Sequence, residues 1–225
     1  MIELKNLSLS FGAKQVLHSL NFQFEDGKVY GIVGENGAGK TSLFRCIAGL
    51  ENYSGAIEEH PAPLKNYLGY LASEPFFLPK VTGEEYVLLL AEARKWKIDS
   101  AEKFNLFQLP LKEFASQYST GMKKKLALTA VLAQNNDWFI LDEPFNGLDL
   151  QSNIVLTDLI LQLKAKSKTI LIASHIFSTL KDTCDEIILL SKGNFLEVVR
   201  KEDFDRLEIK LKEDILSHNF DFLNY

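Results

Sequence analysis

Residues 31–42, GIVGENGAGKTS, constrain this chain more than any other stretch. Five of the twelve are Gly or Ala, the stretch continues the apolar run VYGIV, and it ends in a lysine and two hydroxyl residues. Gly34 to Thr41 match G-x-x-x-x-G-K-[ST] between an apolar strand and a helix, the context in which that pattern acts. Small residues let backbone N–H groups close around phosphate oxygens, and the helix N-terminus adds partial positive charge. Lys40 is placed to reach β- and γ-phosphates, and Thr41 offers a hydroxyl to Mg²⁺. Gly34, Asn36, Gly37, Ala38, Gly39, Lys40, Thr41 and Ser42 are therefore expected to bind a nucleoside triphosphate.

The rest of the chain alternates strands and helices. Ile2 and Leu4, then Leu7, Leu9 and Phe11, have the period-2 spacing of half-buried strands, as do Leu20, Phe22 and Phe24. Leu43, Phe44, Ile47 and Leu50 mark a helix from Thr41, and Thr82 with Glu85 forms a capping box ahead of a helix through about Arg94. Asp99 with Glu102 reads as a second box. Leu126, Leu128, Val131 and Leu132 mark another helix, followed by the strand WFILD, a helix near 154–163, the strand TILIAS, a helix near 177–183 and the strand EIILL. Phe204, Leu207, Leu211 and Ile215 predict a last amphipathic helix, docking on the core or on a second subunit. The expected fold is α/β, with strands at both ends and helices between about 74 and 133.

Composition narrows the partners. A net charge of −5 provides no global basic field for nucleic acid or an anionic membrane. Lys123 to Lys125 on so acidic a chain read as a solvated helix face. Cys46 and Cys184 match neither a metal spacing nor a disulfide framework, which suits a reducing cytosol. The N-terminal MIELKNLSLSF lacks the basic region and apolar block of a signal peptide, and no apolar run approaches the roughly 18 residues a membrane span needs. These features predict a soluble chain whose membrane role, if any, passes through a partner.

A phosphate cradle needs a metal-positioning carboxylate, and WFILDEP supplies one at a strand end. Successive strand side chains diverge, so Asp142 can face Mg²⁺ while Glu143 meets the attacking water as general base.

With these residues in place the chain resembles the nucleotide-binding subunit of an ATP-binding cassette (ABC) transporter. GENGAGKT looks like the family's Walker A and FILDE its Walker B. YSTGMKKKL at 118–126 resembles its signature, NGLD at 146–149 its D-loop, and Ser174-His175 its switch histidine. Phe11 sits where the family stacks an aromatic ring on adenine. The resemblance runs from the first strand to about Glu197. It implies a P-loop NTPase fold with a mixed, largely parallel sheet, an N-terminal antiparallel β part and a helical subdomain. It places the nucleotide-binding core at 1–73 and 134–225 and the helical subdomain at 74–133. It also implies ATP and Mg²⁺ as ligands, an integral membrane transporter subunit as partner, no nucleic acid, and a homodimer or heterodimer on the cytoplasmic face of the membrane. Glu143, His175 and Lys40 would be catalytic; Ser119 and Gly121 would reach the partner's γ-phosphate, and Asp149 would hold the dimer seam.

Two positions depart from the family. Its signature usually reads Leu-Ser-Gly-Gly-Gln, whereas Thr120 and Met122 stand here, a form resembling that of many bacterial exporters. Ser73 occupies the place of a glutamine whose amide oxygen touches Mg²⁺. Serine is too short to ligate directly unless its loop moves inward, and Mg²⁺ readily keeps water in its shell. This implies altered coupling or slower turnover rather than loss of hydrolysis. A soluble cassette ATPase not coupled to transport, serving cofactor assembly or associated with nucleic acid or ribosomes, and a non-hydrolysing nucleotide sensor remain as alternatives.

Overall fold

The alternating N-terminus forms β1 (Ile2–Phe11) and β2 (Lys14–Phe24), paired antiparallel, before the chain enters the central strand β3 (Val29–Val33). The computed structural model describes residues 1–60 and 62–219, with side-chain surroundings through residue 213. Asp26-Gly27 makes the turn between β2 and β3, with Gly27 at φ 77°. Helix α1 (Lys40–Ile47) follows the glycine-rich loop, and β4 (Ser54–Glu59) then returns to pair with β1. Next come β5 (Leu68–Leu71), α2 (Gly83–Ala93), α3 (Thr120–Leu132) and β6 (Trp138–Asp142). The chain continues with α4 (Leu150–Ala165), β7 (Thr169–Ala173), α5 (Phe177–Thr183), β8 (Glu186–Ser191), β9 (Asn194–Arg200) and α6 (Phe204–Asn219).

Two sheets result. The first is antiparallel, in order β2-β1-β4; the second runs β5-β6-β7-β3-β8-β9, parallel except for β9. The continuous apolar runs of β3, β6 and β7 are what a parallel sheet covered on both faces requires. Their alternate residues serve different cores. Tyr30, Ile32, Ile140 and Leu171 pack with α1 and the antiparallel sheet, whereas Val29, Val33, Phe139, Leu141 and Ile170 pack toward α3, α4 and α6.

A third core is formed by the segment of chain that connects β5 to β6, from Val87, Leu111, Ala115, Tyr118, Leu126 and Ala130. Helix α3 belongs to two cores: Leu126, Ala130 and Ala133 face the third, Ala127, Leu128 and Val131 the second. That double burial is why α3 shows little apolar asymmetry in its sequence.

Several local expectations hold. The Thr82–Glu85 capping box is formed in both directions, at 3.2 and 2.8 Å, and α5 has the predicted bounds. The box expected at Asp99 and Glu102 is not formed. Ser100 Oγ instead accepts from the Glu102 N–H to start a 3-10 turn, leaving Asp99 to pair with Lys103. Helix α4 begins at Leu150, earlier than predicted, because Asp149 caps it. Phe204 and Leu207 of α6 are buried in the second core; the surroundings of Ile215 lie outside the described residues. No helix among the described residues is long and apolar enough to cross a membrane.

Candidate active site

The glycine-rich loop connects β3 to α1, and β8 presses against it. A Cβ on Gly34 would lie 2.1 Å from the Leu190 carbonyl oxygen, so only glycine allows the backbone to turn there. Gly39 precedes α1 at φ 109°, a conformation that L residues with side chains rarely adopt. The loop is tied back by the Gly193 N–H to Ala38 O at 2.9 Å. Gly39 offers no side chain to cap α1, and the first turn holds Lys40, Thr41 and Ser42 with no acid, so no side-chain cap competes for the helix N-terminus, an arrangement suited to an anion. Asn36 and Thr41 are exposed, Ser42 half-buried, and Ala38 buried. Lys40 is 7% exposed and folds over its own loop, its Nζ donating to Gly34 O at 2.8 Å and Glu35 O at 3.2 Å.

The end of β6 meets this loop. Asp142 is fully buried, and its Oδ2 accepts from Thr41 Oγ1 at 2.8 Å. Its Oδ1 is buried with no hydrogen-bond partner among the described residues. Burial pushes the carboxyl above its ordinary pKa, against the Thr41 hydrogen bond. A hydroxyl and a carboxylate with an unsatisfied oxygen form a hard oxygen donor set, and they fit Mg²⁺.

Glu143 is held from every side. Its N–H donates to Ala173 O at 2.9 Å, and its carbonyl accepts from Asn146 N–H at 3.2 Å and Lys124 Nζ at 2.7 Å. Its Oε2 lies 2.8 Å from His175 Nδ1 and its Oε1 3.7 Å from Lys40 Nζ. The residue sits at φ 50° ahead of Pro144, where a proline disfavours helical conformations of its predecessor. Such a position costs on the order of 1–3 kcal/mol and persists only when its surroundings over-determine it. His175 follows β7, half-exposed, and the buried Ser174 accepts from Ile176 N–H at 3.0 Å beneath it.

Lys40, Thr41, Asp142, Glu143 and His175 thus converge. The remaining expected residues stand apart from them. Ser119 caps α3, its Oγ accepting from Met122 N–H at 3.3 Å, and the space beside Gly121 is closed by Gly147 O, 3.0 Å from where a Cβ would stand. Asp149 caps α4 by accepting from Ser152 N–H and Oγ at 2.8 Å, and pairs with Lys125 at 2.8 Å. Lys125 and the Ser152 hydrogen bonds hold the Asp149 carboxyl well below the ordinary carboxylate range. Among the described residues, none of the hydrogen bonds of Ser119 or Asp149 reaches the phosphate loop. Phe11 ends β1 with its ring 52% exposed, and Ser73 is half-buried just past β5.

The reading of Lys123 to Lys125 as a solvated face needs correction. Lys124 is 6% exposed and donates to Glu143 O at 2.7 Å and Asn146 O at 3.0 Å. Lys125 is ion-paired and lies 5.9 Å from the Phe107 ring centroid. The signal was present in the spacing: 124, 127, 128 and 131 share one helical face, and the other three are core residues.

A glycine-rich phosphate loop, a buried aspartate bonded to its threonine and a glutamate beside a lysine and a histidine define a P-loop ATPase. Residues 17–146 match the ABC transporter family. An uncharacterized ABC transporter ATP-binding protein of Methanocaldococcus jannaschii is 32% identical over 218 residues, which span 91% of this chain and 79% of the relative. The bacitracin transport ATP-binding protein BcrA of Bacillus licheniformis is 29% identical across 100% of this chain and 81% of its own length. A solved structure of the ATP-binding subunit of an ABC transporter superposes with a TM-score of 0.83 at 29% identity, covering 92% of each chain. The chain belongs to the ABC transporter family, as an ATP-binding and ATP-hydrolysing subunit.

Proposed function

We propose that this subunit powers an integral membrane transporter, with export as the direction, through ATP-driven closure of a dimer on the cytoplasmic face of the membrane. Residues 1–73 and 134–225 form the nucleotide-binding core and 74–133 the helical subdomain that meets the membrane partner. The observation that carries the reading is the Glu143 carboxylate, held between His175 Nδ1 at 2.8 Å and Lys40 Nζ at 3.7 Å, beside the Thr41–Asp142 pair.

In this mechanism Phe11 stacks on adenine, and Gly34, Asn36, Gly37, Ala38, Gly39 and Ser42 line the phosphates. Lys40 turns from the carbonyls it now caps to the γ-phosphate. Thr41 and Asp142 would hold Mg²⁺, and Ser73, with its short side chain, would act on it through a water. The metal neutralises phosphate charge when bound. Glu143 accepts a proton from the attacking water, the water oxygen bonds to the γ-phosphorus, and the bond to the ADP oxygen breaks to release ADP and phosphate. His175 orients the carboxylate and faces the γ-phosphate. Positioning and electrostatics supply most of the acceleration. Ser119 and Gly121 reach the partner copy's γ-phosphate, and Asp149 braces the seam; the partner copy is identical or homologous.

Two features support the membrane contact. A cleft of about 530 Å³ opens between β5, α2 and α3, lined by Tyr70, Ala72, Phe76, Tyr86, Arg94 and Val131. Phe76 at its rim is 75% exposed, whereas Phe77 turns inward onto Tyr86 at 4.6 Å. The signature form Tyr-Ser-Thr-Gly-Met supports export.

Glu143→Gln tests the assignment. It should preserve ATP binding, double the particle mass in light scattering with ATP, and nearly stop phosphate release. Turnover at the wild-type rate would contradict it.

A further inference from the structure

Lys124 is a buried ammonium in an unusual situation. Its two acceptors are the main-chain carbonyls of Glu143 and Asn146, at 2.7 and 3.0 Å, and no carboxylate among the described residues is ion-paired with it. Burying an unpaired cation is unfavourable, and at this helix position an apolar residue would continue the core face of Ala127, Leu128 and Val131. Burial pushes its pKa down, while the negative charges of Glu143 and Asp142 act in the opposite sense. The cation in turn favours the ionised form of Asp142.

The two carbonyls lie at either end of one turn. Asn146 N–H donates to Glu143 O at 3.2 Å, so Lys124 closes over a loop that already folds back on itself. The same loop meets α3 again one turn earlier, where Gly121 abuts Gly147 O. The first two turns of α3 and residues 143–147 therefore form one packed body, which contains the left-handed Glu143.

We infer that Lys124 is a positioning residue for ATP hydrolysis: from the signature helix it clamps the main chain of Glu143 and so aims the Glu143 carboxylate. The inference rests on the reading of Glu143 given above. Without the clamp the Glu143 backbone relaxes from its disfavoured conformation, and its carboxylate leaves His175 and Lys40. Because Ser119 caps α3, movement of the signature helix reaches Glu143 directly through this ammonium.

The test is a double-mutant cycle in the full chain, read by steady-state ATP hydrolysis with MgATP as the varied substrate. Lys124→Met keeps length and apolar packing but removes charge and donors. Its kcat should fall about 10–100-fold, the scale of an ångström-level misplacement, with KM within about twofold of wild type. In the Glu143→Gln background the same substitution should cause no further loss, because a residue acting through another is non-additive with it. Should Lys124→Met fail to fold, Lys124→Leu, likewise without charge or donors, carries the same expectations. Wild-type kcat in the Lys124 variant, or full loss in both backgrounds, overturns the positioning role while an inactive Glu143→Gln leaves the Glu143 assignment standing. Wild-type turnover by Glu143→Gln overturns both.

Discussion

Thr41 Oγ1 donates a 2.8 Å hydrogen bond to Asp142 Oδ2, joining the first turn of α1 to the end of β6 across 101 residues of sequence. The bond satisfies one carboxylate oxygen and leaves the other, Oδ1, buried without a hydrogen-bond partner among the described residues. The same aspartate would supply one donor of the proposed Mg²⁺ site and is a liability to the fold.

Asp142→Asn should raise the melting temperature at neutral pH while turnover falls by about 10²-fold or more, the scale of one lost transition-state electrostatic contact. The sign follows from the raised pKa: the folded chain binds more protons than the unfolded one between the two values, so stability declines as pH rises through them. At pH 7 the ionised buried carboxylate is a net cost that the amide removes. Melting curves of both proteins at pH 7 check this; a lowered melting temperature would contradict it.

Two loop glycines should fail for different reasons. Gly34→Ala places a Cβ against the Leu190 carbonyl and should cost about 1–3 kcal/mol through overpacking, with loss of ATP binding. Gly37 has open space around it but sits at φ 82°, so Gly37→Ala should cost about 1–2 kcal/mol from backbone strain alone. Urea unfolding of each variant and ATP titration separate the two.

Phe11→Ala should raise KM for ATP by about tenfold with kcat nearly unchanged, as expected when about 1–3 kcal/mol of base stacking is lost. Its ring is 52% exposed, so the melting temperature should stay put. Phe11→Trp should keep the wild-type KM, and a kcat effect without a KM effect would move Phe11 out of the adenine site.

Ser73→Gln should lower the Mg²⁺ concentration needed for half-maximal hydrolysis, because the longer amide reaches the metal without an intervening water. An unchanged Mg²⁺ requirement would separate Ser73 from the metal.

The phosphate loop, the Asp142-Glu143 pair at its strand end and the succession of strands and helices around them are legible because each follows from local pattern: glycine spacing, apolar runs and the residue that ends them. Asp149 is not legible as the cap that starts α4, since capping depends on Ser152 turning back to it. Lys124 was misread because a lysine run on an acidic chain looks solvated until it is set against the core face it shares. The contacts at Glu143 come from its own loop at Asn146, from Ala173 and His175 around the end of β7, from Lys124 on α3 and from Lys40 on the phosphate loop, and no single window of sequence contains them.

The most direct test of the central claim is recovery of the tagged chain from detergent-solubilised native membranes with ATP and Mg²⁺, with partners identified by mass spectrometry. The account predicts a stoichiometric integral membrane protein bound to the ATPase. Recovery only from the soluble fraction, with assembly or ribosomal proteins, would contradict the transporter role while leaving the ATP site intact.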